Sequence, residues 1–265
     1  MSSPELDRIL SYPRVAWNQT EPLSPLLEKW RPSLWDAQLA ALSRSENAHD
    51  GQWVYCDMPV GSGKFLTGYL APALIKAKRA VAFTFPNLLK QSKREVEKFR
   101  DLFPEARDYE PEYISFGKLS HPKYAHILFE KAPDVIVIDE AHALCGAYSA
   151  RRNRVMAYCA ENPHVKVLVM SGTLDRDLEE LYELAELALR DHSFLPRNFD
   201  LVRMWGRVLN HGSKPHATDV ARLKPLCDWA GTDDVHAAFR ERYTTMPFVV
   251  TAPPAEVDAA LHLRK

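Results

Sequence analysis

The sequence predicts an α/β fold in which a mainly parallel sheet is flanked by helices and followed by a C-terminal helical extension. Three observations carry this. Apolar runs that read as strands alternate with helix-length segments from Trp53 to Met170, the pattern of β-α-β units. Val135-Ile136-Val137-Ile138 is an unbroken β-branched run, expected of a strand covered on both faces. The stretch Gly61-Ser62-Gly63-Lys64 stands between an apolar run and a helix-compatible one, so strand, glycine loop and helix follow one another.

In chain order, residues 1–29 are proline-punctuated and mixed in character, and are expected as an extended N-terminal arm laid against the body. Trp30 opens a helix running to about Leu42. Trp53-Val54-Tyr55-Cys56 reads as the first strand, and Phe65 to Lys76 as a helix kinked at Pro72, where the ring removes a backbone donor. Ala80 to Phe85 reads as the second strand, stopped by Pro86, and Leu88 to Arg100 as a charged helix. Tyr113 to Phe116 is a short apolar piece ending at Gly117, and His126 to Glu130 is helix-compatible. After Val135–Ile138, Arg152 to Glu161 reads as helix and Val165 to Met170 as the next strand. Past Thr173 the character changes: Leu178, Leu181, Tyr182, Ala185 and Leu189 recur at helical spacing, marking one buried face. Phe199–Leu209, Val220–Trp229 and Val235–Tyr243 also read as helices, and Phe248–Thr251 as a short strand before a Pro253-Pro254 linker. The expected division is therefore an arm (1–29), an α/β domain (30–175), and a helical extension with linker (176–265).

Composition narrows the class. The chain of 265 residues is 46% hydrophobic and 26% charged, an ordinary globular balance, and its net charge of −1 announces no global basic field. The four cysteines are scattered, with no C-x-x-C pair, which speaks against zinc and for reduced thiols in a cytoplasmic setting. No stretch approaches the roughly 18 apolar residues of a membrane helix, so no membrane partner is expected.

The chemistry concentrates in three places. At Met58-Pro59-Val60-Gly61-Ser62-Gly63-Lys64 the two glycines let the backbone curl so that several N–H groups face one anion. The following helix adds its positive end, and Lys64 adds a point charge whose long side chain is expected to be solvated. Asp139-Glu140-Ala141-His142 closes the most apolar strand, and ligands of open α/β sheets sit beyond the carboxyl ends of strands. Asp139 is suited to a magnesium shell and Glu140 to orienting or deprotonating water. Ser171-Gly172-Thr173 again follows a strand directly. The histidines form no ligand cluster, and the Lys90–Arg100 charges, interleaved with Glu95 and Glu97, read as a solvated helix face.

The order Gln38, Gly61-Ser62-Gly63-Lys64, Phe85-Pro86 with Gln91, Asp139-Glu140-Ala141-His142, Ser171-Gly172-Thr173 resembles superfamily 2 helicases of the DEAD/DEAH-box kind. The resemblance covers residues 30–175 and implies a RecA-like P-loop NTPase domain, the first of two in such motors. It implies ATP and Mg²⁺ as ligands and nucleic acid as partner, DNA or RNA, with DNA ranked first. Position by position, Gln38 would read adenine; Gly61, Ser62, Gly63 and Lys64 would hold phosphates; Asp139 would hold the metal and Glu140 would activate water. His142, Ser171 and Thr173 would couple hydrolysis to domain movement, and Pro86 and Gly117 lie where such proteins touch a nucleic-acid backbone. A weaker likeness around Ala237–Arg242 and Pro247–Thr251 points to bacteriophage-type helicases, hence to a bacterial or phage-infected cell.

Two departures qualify the resemblance. Position 58 is Met where the strict loop has Gly, and position 65 is Phe where it has a hydroxyl for magnesium. No second strand series follows Thr251, so the second motor domain is expected outside this chain. An isolated first domain should then turn over slowly, for want of an arginine supplied from that partner. Two other readings compete: a double-stranded DNA translocase of restriction or remodelling type, and a hydrolysis-deficient nucleotide-binding module with a structural or regulatory role, which Phe65 favours.

Overall fold

The structure, a computed structural model, describes residues 3–48, 53–146, 149–172, 177–210, 212 and 215–252. Six strands form one sheet: β1 (Tyr55–Asp57), β2 (Ala80–Thr84), β3 (Glu112–Ser115), β4 (Val135–Asp139), β5 (Lys166–Ser171) and β6 (Val249–Thr251). They lie in the order β3-β2-β4-β5-β1-β6, and every neighbouring pair is parallel. Parallel neighbours cannot be joined by hairpins, so helices carry the chain back between strands. All carboxyl ends therefore share one edge of the sheet. The Pro253-Pro254 linker lies outside the described residues.

The helices are α1 (Pro4–Ser11), α2 (Pro25–Trp30), α3 (Asp36–Asn47), α4 (Lys64–Leu74), α5 (Leu89–Leu102), α6 (Phe116–Ser120), α7 (Ile127–Lys131), α8 (Ala150–Glu161), α9 (Leu178–Leu189), α10 (Phe199–Leu209), α11 (Ala217–Arg222), α12 (Lys224–Ala230) and α13 (Val235–Thr244). Strand alternation sorts them into two layers. Cys56, Ala82, Val137, Leu168, Met170 and Val250 pack against α3, α4 and α5. Tyr55, Phe83, Ile136, Ile138, Val167, Val169 and Val249 pack against α1, α9, α10 and α13. Both faces of β4 are thus covered, as its β-branched run requires. Gly68 sets how closely α4 lies on the sheet: a Cβ there would stand 2.8 Å from Val137 Cγ1 and 2.9 Å from Met170 Cε. Close seating of α4 brings its first turn over the carboxyl edge.

Three local expectations change. The helix expected from Trp30 is instead α2, a 3₁₀ turn over Arg31–Ser33, and α3 beginning at Asp36; Pro32 and the extended Leu34 interrupt it. Val220–Trp229 divides into α11 and α12 at Leu223, because Pro225 has no N–H to continue the ladder. Residues 4–11, expected as extended chain, are helical: Ser3 Oγ accepts from Leu6 N–H at 3.2 Å, Pro4 occupies the first turn, and Leu6 and Ile9 are buried one turn apart. Ser-Pro at a helix start is a legible signal. Two buried guanidiniums hold the chain that follows: Arg242 donates to Tyr12 and Pro13 carbonyls at 3.0 and 3.2 Å, and Arg44 to Ala16 O at 2.6 Å and to Val249 O. Among the described residues no helix is long and apolar enough to cross a membrane.

Candidate functional site

The loop after β1 takes the conformation its glycines permit. Gly61 and Gly63 have φ of 89° and 77°, left-handed values that cost a residue with a Cβ about 1–2 kcal/mol. At Gly63 a side chain is also excluded by space, since an added Cβ would lie 2.0 Å from Gln38 Nε2. Gln38 is buried, accepts from Trp35 N–H at 2.9 Å and donates to Gly63 O at 3.1 Å. It therefore ties α3 to the loop, and the second N–H of its amide remains for a ligand. Ser62 is 1% exposed and its Oγ has no partner among the described residues. A buried hydroxyl left unpaired is costly, and this one lies in the loop's curl.

Lys64 differs from expectation. Its side chain is 7% exposed rather than solvated, and Nζ donates to Met58 O at 2.9 Å and Pro59 O at 3.1 Å. The loop turns these carbonyls inward, so the ammonium finds two acceptors within its own turn. Gly172, which follows β5, abuts the same place: a Cβ there would meet Met58 O at 3.3 Å and Lys64 Nζ at 3.4 Å. The first and third motifs are thus in direct contact, and Met58 N–H donates to Ser171 O at 2.9 Å. Ser171 itself is fully buried with its Oγ unpartnered among the described residues. Thr173 lies outside the described residues.

Asp139 ends β4, separated from β1 by the single strand β5. Two strand spacings are roughly 10 Å, and the end of β5, with Gly172 after it, lies between the loop and the carboxylate. Burial, then the neighbouring Glu140 charge, pushes the Asp139 carboxyl up to about 6, while Lys64 pulls it back. Glu140 holds a left-handed backbone, φ 59° and ψ 56°. Such strain in a residue with a side chain is expected at working positions. Its carboxylate stands 3.3 Å from His142 Nδ1. The His142 ring lies 5.7 Å from Phe85, which meets Phe116 edge-on at 5.5 Å. Pro86 and Gly117, the residues after these two phenylalanines, are also neighbours: a Cβ on Gly117 would lie 3.6 Å from Pro86 Cγ. A continuous line of contacts thus runs from Glu140 to the two positions expected to touch nucleic acid.

Phe65 turns away from the loop onto aromatic neighbours, Tyr113 at 5.3 Å and Phe99 at 5.9 Å between ring centres. It forms part of a cleft of about 260 Å³ shared with Gln38, Gly63, Thr84, Gln91 and Asp139. A second cavity, about 380 Å³, lies between α8 and α9 beside the amino end of β5, with Cys159, Tyr182 and Glu186 in its wall; none of the motif residues reaches it.

Sequence reasoning missed two features. Tyr243 of α13, fully buried, donates to Asp57 Oδ2 at 2.8 Å, placing a helix of the C-terminal extension directly under the strand that feeds the loop. Thr84, read only as a strand residue, ends β2 inside the cleft; its place at a strand's carboxyl end was the available signal. A scan against protein-family models gives no match, and a search of curated proteins gives none either.

Proposed function

We propose that this chain binds ATP on the 58–64 loop as a RecA-like P-loop domain. In this reading it is the first motor domain of a superfamily 2 helicase or translocase, coupling hydrolysis to movement on DNA or RNA. The observation that carries this is the junction of the loop with the end of β5, where Met58 N–H donates to Ser171 O and a Cβ on Gly172 would stand 3.4 Å from Lys64 Nζ, with Asp139 one strand further on. Loop, lysine, Gly172 and carboxylate then gather at the carboxyl ends of three adjacent strands, β1, β5 and β4. An ordinary strand-to-helix turn needs none of the other three.

The residues also suit the ligands. The unpaired Ser62 Oγ in the loop suits a phosphate oxygen. Among the described residues no group of three or more His, Cys, Asp or Glu gathers to hold a metal. A single carboxylate, Asp139, fits magnesium, which keeps phosphate oxygens and waters and takes only one or two protein ligands. Magnesium bound there would neutralise charge on the outer phosphates. Lys64 exchanges its two carbonyl acceptors for phosphate oxygen. Glu140, held by its strained backbone and the His142 contact, accepts a proton from water at its carboxylate. The line His142–Phe85–Phe116 offers a physical route by which occupancy at Pro86 and Gly117 reaches Glu140.

Calorimetric titration of ATP and ADP into the chain and into Lys64→Met tests the reading. Micromolar binding by the first and at least about tenfold weaker binding by the second is expected. Equal affinities, or none, remove the loop assignment. Phe65, which brings no oxygen to the cleft, favours one second reading, a nucleotide-binding module without hydrolysis. Binding without turnover, even with nucleic acid and a second motor domain supplied, selects it.

A further inference from the structure

Phe65 leaves the proposed site short of one oxygen, and the strand that borders Asp139 offers another. In the parallel pairing of β2 with β4, Phe83 stands opposite Ile138, so Thr84 and Asp139 follow side by side on adjacent strands. Strand neighbours are about 4.8 Å apart and alternate residues share a face. Ala82 and Val137 point into the α4 layer, and Thr84 and Asp139, two residues further along, therefore point there too. Both line the 260 Å³ cleft, and both line a smaller space beneath Phe65 and Gly68. Thr84 is 2% exposed, and its hydroxyl has no hydrogen-bond partner among the described residues.

Three of the other oxygens nearby are engaged. Ser115, the β3 residue in register with Thr84, accepts from Lys118 N–H at 3.1 Å. Gln38 Oε1 is taken by Trp35 N–H, and the Glu140 carboxylate faces His142. Thr84 is the one that strand register sets directly beside Asp139. A hard cation selects such ligands, and magnesium needs few of them.

We propose that the Thr84 hydroxyl, next to the Asp139 carboxylate, supplies the oxygen that position 65 lacks for a divalent cation held on the outer phosphates of the nucleotide. This rests on the nucleotide reading above. The ring of Phe65 and the hydroxyl of Thr84 are then a matched exchange: the aromatic side chain closes one wall of the cleft and the ligand moves to the neighbouring strand.

The test compares wild type, Thr84→Val and Thr84→Ser. ADP affinity is measured by calorimetry with magnesium and with a chelator, and Mn²⁺ retained with ADP is read by electron paramagnetic resonance. Valine keeps the branched shape without the hydroxyl; serine keeps the hydroxyl. Magnesium should raise wild-type affinity by about tenfold or more. Thr84→Val should lose most of that gain and its Mn²⁺ signal, while Thr84→Ser keeps both. A valine variant with the full magnesium gain overturns the Thr84 assignment alone, showing the residue to be strand packing. A wild-type chain that binds no ADP overturns the nucleotide reading and the assignment with it. Wild-type binding that is indifferent to magnesium overturns the cation assignment and leaves the loop standing.

Discussion

Replacing Lys64 separates the loop contacts its side chain makes from the phosphate role proposed for it. Its ammonium is nearly buried and donates to Met58 O and Pro59 O at 2.9 and 3.1 Å. Hydrogen bonds from a charged donor contribute about 1.5–3 kcal/mol each, but burying the charge costs several kcal/mol in return. The net loss on removing it should be about 1–2 kcal/mol. In a chain of this size 1 kcal/mol moves the melting temperature by about 2–4 °C, so Lys64→Met should melt roughly 2–8 °C lower in the absence of nucleotide. Methionine keeps the aliphatic stem, which confines the change to the head group. The same variant should bind ADP at least tenfold more weakly, a loss of about 1.4 kcal/mol or more. An incoming phosphate must displace the carbonyls, so the wild-type affinity already carries part of that cost. Thermal melts and titration calorimetry on the two proteins read both effects. A variant as stable as wild type would refute the energetic account of the two bonds; one that binds ADP equally well would refute the phosphate role.

Glu140→Gly should raise stability by about 1 kcal/mol, because glycine adopts the left-handed backbone at no steric cost, and should abolish hydrolysis; Glu140→Gln should abolish hydrolysis without the stability gain, as denaturant melts will report. Tyr243→Phe deletes the 2.8 Å bond to buried Asp57 and should cost about 1–3 kcal/mol, measured by urea unfolding; an unchanged midpoint removes that link between α13 and β1. Burial holds the Glu186 carboxyl above its ordinary range, so its favourable contribution is present below the ordinary carboxylate pKa and is lost as pH rises through the raised value. Glu186→Gln should therefore raise the melting temperature at pH 7–8 and lose that advantage towards pH 4; a gain independent of pH contradicts the assignment.

Much of the fold was legible in the chain. The unbroken Val135–Ile138 run announced a strand covered on both faces, and that strand lies inside the sheet. Residues 178–189, with apolar positions recurring at helical spacing, form α9. These are local properties: periodicity and β-branching act over a few residues and need no partner to be recognised. The motifs at 58–64, 139–142 and 171–172 were equally visible, because glycine φ angles and adjacent carboxylates are written in residue identity.

Other features were settled by tertiary structure alone. Strand order is a matter of which distant segments pair, so nothing in Asp139 or Gly172 foretold that β5 would separate the acid pair from the loop and place its own end against Lys64. The burial of Lys64 depended on the direction of two carbonyls, a consequence of how the loop closes rather than of its composition. Thr84 carries no motif and acquires a place in the cleft only when β2 docks beside β4. Phe65 announced a missing hydroxyl, but its orientation was set by Tyr113 and Phe99, more than thirty residues away along the chain. Sequence pattern determined which segments become strands and helices and which residues carry chemistry; long-range packing, which alone sets distances between segments, decided which of those residues meet.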